Sequence, residues 1–276
     1  MISAIGAAMV NATVRRPALM TVALLLVSGC ATLRPPAPAI APPLPSAAEL
    51  VTRLEQQRAA RVSLRALAHF VYDGPDEHRR ARQVVLVQRP ERLRIEVLSP
   101  LGTVFVLTAD NGALAAYVRS EATVYRGRAS RANLQRYARV DLSVADAVDV
   151  LLGTPPVGDG RNDAVSFDPT SDTIQLSSAT DAGAHVIAFD RALRAVAIET
   201  HDADAQVRWR AEFSAFAAPA DVPTTIVIAL PPQQQRLTLE LQEVEVNPAI
   251  DAALFTLATP AGTREVALDD GAEAES

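Results

Sequence analysis

Chemistry in a protein needs nucleophiles, titratable groups or metal ligands, and this chain has few of them in useful order. It has one cysteine, Cys30, and four histidines at 69, 78, 185 and 201, and Arg supplies all 26 of its basic residues. Without lysine there is no Schiff base and no phosphate-binding P-loop. A single cysteine allows neither an intrachain disulfide nor a thiolate zinc cluster. The histidines fall into no HxH or HExxH pair, and no G-x-S-x-G or S-x-x-K motif is present. Acidic pairs such as Asp202 and Asp204 lie in turn-like sequence, where solvated carboxylates are common. The expectation is a protein without a catalytic centre and without a cofactor.

The cysteine has its own context. Arg15 and Arg16 precede an apolar run, Leu19 to Val27, and Ser28-Gly29-Cys30 follows. A basic segment, a short apolar core and small residues make an export signal, too short to span a bilayer. Val27-Ser28-Gly29-Cys30 resembles the bacterial lipobox, whose cysteine is acylated and becomes the mature N-terminus. By the same resemblance, Ala31 in place of an aspartate implies the outer membrane. The plain alternative is a signal peptide with an incidental cysteine. Residues 34–45 (RPPAPAIAPPLP) form a Pro/Ala tether, extended by its prolines. The expected organisation is a signal at 1–29, anchor and tether at 30–45, a folded domain at 46–268 and an acidic tail at 269–276.

The elements of that domain follow from periodicity. Ala47, Leu50, Val51 and Leu54 recur at helical spacing to about Ala60. The period then falls to two: Val62, Leu64, Ala66, Ala68 and Phe70 alternate with more polar residues, and Leu93, Ile95 and Val97 alternate with Arg92, Arg94 and Glu96. Asp110-Asn111-Gly112 is a strong hairpin signal. Two short helices are expected near 130–137 and 143–152, opened by Ser130 and Ser143 and closed by Gly153 and Pro155-Pro156. Strands resume from Thr173 to Val246. The fold class is therefore α+β, mostly β: an antiparallel sheet of about eleven strands with helices covering one face.

Composition bears on what such a sheet holds. The chain is 49% hydrophobic but 4% aromatic, so its apolar surfaces are aliphatic. Three short helices cover a large sheet incompletely, which leaves either a concave apolar pocket or a fully packed core. The wall of such a pocket is expected from Leu64, Phe70, Leu93, Ile95, Val97, Val106 and Leu114 on strands, with Val144, Val148 and Leu151 on the second short helix. The formal net charge is −6, without an aromatic-basic platform, so nucleic acid is not an expected partner. The arginines at 79, 80, 82, 89, 92 and 94 are either a solvated strand face or a docking surface for an acidic partner or anionic lipid.

The run Arg92–Leu107 (RLRIEVLSPLGTVFVL) resembles the LolB family of outer-membrane lipoprotein receptors, in which a strand ends at a Pro-Leu-Gly loop and another follows. The likeness extends over about 46–155, through the Asn111-Gly112 hairpin and Leu151-Leu152-Gly153, and more loosely over the C-terminal strands. It is also similar to the wider LolA/LolB superfamily. The resemblance implies a half-open β-barrel with a helical lid that binds lipoprotein acyl chains, receives them from a LolA-like periplasmic carrier and inserts them into the outer membrane. It implies that Leu101, held by Pro100 and Gly102, is a membrane-insertion prong; the alternative is a hairpin leucine packed back on the sheet. The length, tether and acidic tail depart from the family pattern and bear on the carrier partnership. A second possibility uses the same fold in an envelope lipoprotein that binds a protein partner.

Overall fold

The computed structural model describes residues 43–156 and 163–268. The proposed signal peptide, Cys30, most of the tether and the acidic tail lie outside them. The domain is one sheet built from two antiparallel meanders. The first runs through β1 (Ser63–Asp73), β2 (His78–Gln88), β3 (Arg92–Ser99), β4 (Gly102–Asp110), β5 (Ala113–Val118) and β6 (Thr123–Arg128). The second runs through β7 (Ala164–Asp168), β8 (Thr173–Thr180), β9 (Gly183–Phe189), β10 (Ala195–His201), β11 (Val207–Ala217), β12 (Val222–Leu230) and β13 (Gln235–Val246). β13 pairs antiparallel with β1, with Phe70 opposite Leu239, and so joins the two halves. A last strand, β14 (Arg264–Ala267), adds to β6 in parallel.

The sheet thus has fourteen strands in the order β14-β6-β5-β4-β3-β2-β1-β13-β12-β11-β10-β9-β8-β7, and its two edges do not pair with each other. The expected mostly-β class with few helices is what the chain forms; the expected strand number was about eleven. β7 and β14 escape the alternation reading. They have five and four residues, and their side chains are largely exposed or half-exposed.

Among the described residues three α-helices accompany the sheet. α1 (Ala47–Ala60) starts with a complete capping box, in which the Ser46 hydroxyl accepts from Glu49 N and the Glu49 carboxylate accepts from Ser46 N. It buries Leu50 and Leu54. α2 (Arg131–Ala138) and α3 (Val144–Leu151) are capped by Ser130 and Ser143, each accepting from the backbone three residues on. Connectivity explains where these two helices lie. They belong to the link between β6 and β7, which sit near opposite edges of the sheet. A chain joining those strands must cross one face, and the face it crosses is the apolar one. α3 is buried on nearly all sides, Val150 and Asp149 included.

Two features hold that link in place. Asp149, with its side chain 7% exposed, accepts from Arg58 of α1 and from Arg89 just beyond β2. Arg61, 6% exposed, donates to the carbonyls of Gly153 at 3.0 Å and Asp221 at 2.7 Å, joining the end of α3 to the β11–β12 turn. Burial lowers the pKa of Arg61, and Asp221 partly offsets that. Gly153 has φ +63, and a Cβ there would overlap the Pro223 ring. The glycine is therefore required both by its left-handed backbone and by the closeness of β12.

Candidate functional site

Between the sheet and the α2–α3 link lies a cavity of about 570 Å³. Its walls come from both halves of the molecule: Phe70 of β1, Leu93, Ile95 and Val97 of β3, Phe105 of β4, Ile228 of β12, and Leu237 and Leu239 of β13. The roof is Tyr137, Ala138, Val140, Leu142, Ala147 and Leu151. Phe105 and Ile228 stand on strands separated by five inter-strand spacings. A flat sheet would hold them roughly 24 Å apart, at about 4.8 Å per spacing. Their meeting around one cavity shows that the sheet is strongly curled, with the cavity on its concave side.

Register decides which side chains face it. Leu93, Ile95 and Val97 oppose Ala109, Leu107 and Phe105. Of the ten side chains expected in the wall, Phe70, Leu93, Ile95, Val97 and Leu151 line the cavity. Leu64, Leu114, Val144 and Val148 are buried in the packed core beside it. Val106 is on the other face, opposite Glu96 and Tyr117. It is nevertheless buried, because the segment after β13 crosses the convex side of β3–β5. There Phe255, 1% exposed, enters a groove beside Thr108, Ala113 and Ala115. Arg94 holds the strap by donating to the Leu254 carbonyl at 2.7 Å, and Arg126 does so to Leu257 at 2.8 Å.

The cavity reaches solvent at the end of the sheet where β1 finishes and β2 begins. Arg79, Glu121 and Arg139, all exposed, stand among its lining residues there. Glu77 ties two of them: Arg79 Nε donates to it at 2.7 Å, and Arg139 Nη2 lies 3.3 Å away. The Arg79 hydrogen bond holds the Glu77 pKa below the usual carboxylate range. Glu121 accepts from the Tyr125 hydroxyl, and this bond raises the tyrosine's pKa. Tyr125 and Tyr137 rings stand 5.5 Å apart at the roof. Burial raises the pKa of Tyr137, whose hydroxyl has no hydrogen-bond partner among the described residues.

The Pro100-Leu101-Gly102 hairpin lies at the same end, since β3 finishes beside the start of β2, with Leu98 opposite Arg82. Leu101 is 85% exposed and does not pack on the sheet. The turn under it is fixed: the Ser99 hydroxyl donates to the Gly102 carbonyl at 2.8 Å and accepts from Leu101 N, while Arg119 donates to the Leu101 carbonyl at 2.8 Å. Gly102 has φ +98, which favours glycine.

The arginine stripe does not act as one surface. Arg79 faces the cavity, while Arg89, Arg92 and Arg94 are paired with Asp149, Asp110 and Glu96. Arg80 and Arg82 remain on the convex side beside His69 and Glu240. Among the described residues no group of three or more His, Cys, Asp or Glu is placed to hold a metal ion. No described helix is long and apolar enough to cross a membrane. The Tyr137–Leu142 part of the roof and the strap at 247–268 were not legible as site elements, because neither carries a sustained apolar period.

No protein-family model and no curated protein matches the chain. Solved structures do. A DUF1329 family protein from Desulfovibrio piger superposes with a TM-score of 0.54 at 14% identity, covering 76% of this chain and 95% of that one. A LolA superfamily protein from Nitrosomonas europaea superposes with a TM-score of 0.52 at 12% identity, covering 78% and 99%. At such identities the likeness is one of fold, and it extends over nearly the whole of both neighbours.

Proposed function

We propose that this protein holds acyl chains of lipoproteins or lipids in the cavity under α2 and α3 and passes them to a membrane, the outer membrane in the setting implied by the lipobox. The observation that carries this reading is a single one: an apolar cavity opens at the same end of the sheet as an exposed leucine on a hydrogen-bonded turn. Each methylene moved out of water contributes about 0.8 kcal/mol, so binding needs no covalent step. Transfer needs only a membrane that binds the chain better, and Leu101 is placed to bring the mouth to one. The LolA superfamily name of a fold neighbour supports a lipid-binding role. A LolA-like donor, anchoring through Cys30, and insertion by Pro100, Leu101 and Gly102 are parts of the same proposal.

A cavity-filling variant tests it. Ala147 lines the roof and is 5% exposed. Ala147→Phe should abolish binding of a fluorescent acyl probe while Val106→Ala, on the convex face, leaves it intact. Equal binding by both variants and the parent would overturn the reading. For the anchor, Cys30→Ser should release the protein from membranes; retention there would contradict acylation at that site.

A further inference from the structure

The cavity is apolar but not uniformly so. Gln83 lies on the concave face of β2, opposite Val97 and Ala68, and lines the cavity. It is 4% exposed, and its amide has no hydrogen-bond partner among the described residues. The amide faces the cavity, where a hydrocarbon would strip its water without replacing the hydrogen bonds. The Tyr137 hydroxyl, in the roof, is also buried and unpartnered. A plain hydrocarbon would leave both groups unsatisfied.

The rim adds charge. Arg79 spends only its Nε on Glu77, and its terminal nitrogens have no protein partner among the described residues. Arg139 shares the same carboxylate through one nitrogen. Arg136 stands over the Tyr137 ring, 5.6 Å from its centre. Of these, Arg79 and Arg139 line the mouth, and Glu77 engages only one nitrogen of each. Guanidinium forks with free N–H groups at a cavity mouth favour a carboxylate or phosphate. The cavity volume falls within the roughly 300–1,000 Å³ of single small-molecule sites, so one chain is its natural load.

We infer that the ligand is a single-chain amphiphile with an anionic head, a carboxylate or a phosphate. The tail fills the space between Phe70, Ile95 and Leu239. The head sits between Arg79 and Arg139. Tyr137 hydrogen-bonds to an oxygen of the head, and Gln83, four residues farther along β2 than Arg79, lies beside the chain. This rests on the cavity being an acyl-chain site and adds what the chain must carry.

The test compares cis-parinaric acid with its methyl ester on the purified folded chain. The two share a tail and differ in charge, and both fluoresce when sheltered from water. The pH is kept well above the carboxylic pKa. The acid should bind about tenfold tighter or more, the order of a charge-assisted hydrogen bond. Arg79→Gln with Arg139→Gln should bring the acid to the ester's affinity and leave the ester unchanged, which also shows that the variant is folded. Displacement at lower concentration by an oleoyl lysophosphatidate than by oleate assigns the head to a phosphate, and the reverse assigns it to a carboxylate; both outcomes support an anionic head. Equal binding of acid and ester by the parent, or equal loss of both in the variant, would overturn the inference while leaving the acyl-chain site standing. Failure of both probes to bind would overturn the acyl-chain reading itself.

Discussion

Asp149 offers a sharp test of how the roof is held. Its carboxylate lies inside α3, where two guanidiniums converge on it. Asp149→Ala removes the acceptor and leaves Arg89, whose side chain is 15% exposed, without its counter-charge. Burial already lowers the Arg89 pKa, and Asp149 is the main group opposing that shift. Removing one partner of a buried ion pair costs about 3–5 kcal/mol. The Arg58 side chain is 32% exposed, so water screens its share, which adds no more than about 1 kcal/mol. Arg89 retains some solvent contact and its bond to Thr154, so the lower end of the range applies. The expected loss is about 3 kcal/mol, a drop in melting temperature of roughly 6–12 °C for a domain of this size. Arg191→Ala is the control. Its pair with Asp172 is bidentate, at 2.7 and 2.8 Å, but both side chains are half exposed. Such a pair contributes about 0–1 kcal/mol. Urea unfolding of both variants supplies the comparison. If Asp149→Ala costs no more than Arg191→Ala, the carboxylate does not anchor the roof and the reasoning fails.

Other perturbations follow from the same contacts. Gly153→Ala should destabilise by about 1–3 kcal/mol through left-handed strain and overlap with Pro223, seen as a lower unfolding midpoint. Phe255→Ala should cost about 3–5 kcal/mol and expose the convex face of β4 to hydrogen exchange, since the ring is almost fully buried. Burial lowers the His185 pKa below 6.5, with Asp146 opposing and His201 assisting. The unfolded chain then takes up the proton first, so stability is full above about pH 6.5 and declines as pH falls from there toward the folded pKa. Melting temperatures across that window should fall for the parent and stay flatter for His185→Gln. Leu101→Glu should leave the melting temperature unchanged, because the side chain is 85% exposed, yet slow the transfer of a bound acyl probe to vesicles.

Strand pattern made much of the concave face readable in advance. Leu93, Ile95 and Val97 alternate with charged residues, and their direction follows from that alone. Val106 shows where the rule stops. In β4 the stretch Val104-Phe105-Val106-Leu107 is apolar on both faces. The second face is apolar because Phe255 covers it, about 150 residues downstream. No local window contains that information. The rim has the same character: Arg79 and Arg139 are far apart in sequence and meet through Glu77 only after the β6–β7 link has crossed the sheet. The helices were readable because Ala47, Leu50, Val51 and Leu54 recur at helical spacing in α1, and Ser130 and Ser143 announce the starts of α2 and α3. β7 and β14 were not, being too short and too exposed to show alternation.

The central claim is that the cavity under α2 and α3 holds an acyl chain. Native mass spectrometry of the folded chain, purified from cells with its lipids undisturbed, tests it most directly. The account predicts a bound species one acyl-bearing molecule heavier than the empty chain, absent from Ala147→Phe. A spectrum showing only the empty chain, unaltered by added fatty acid or lysophospholipid, would contradict it.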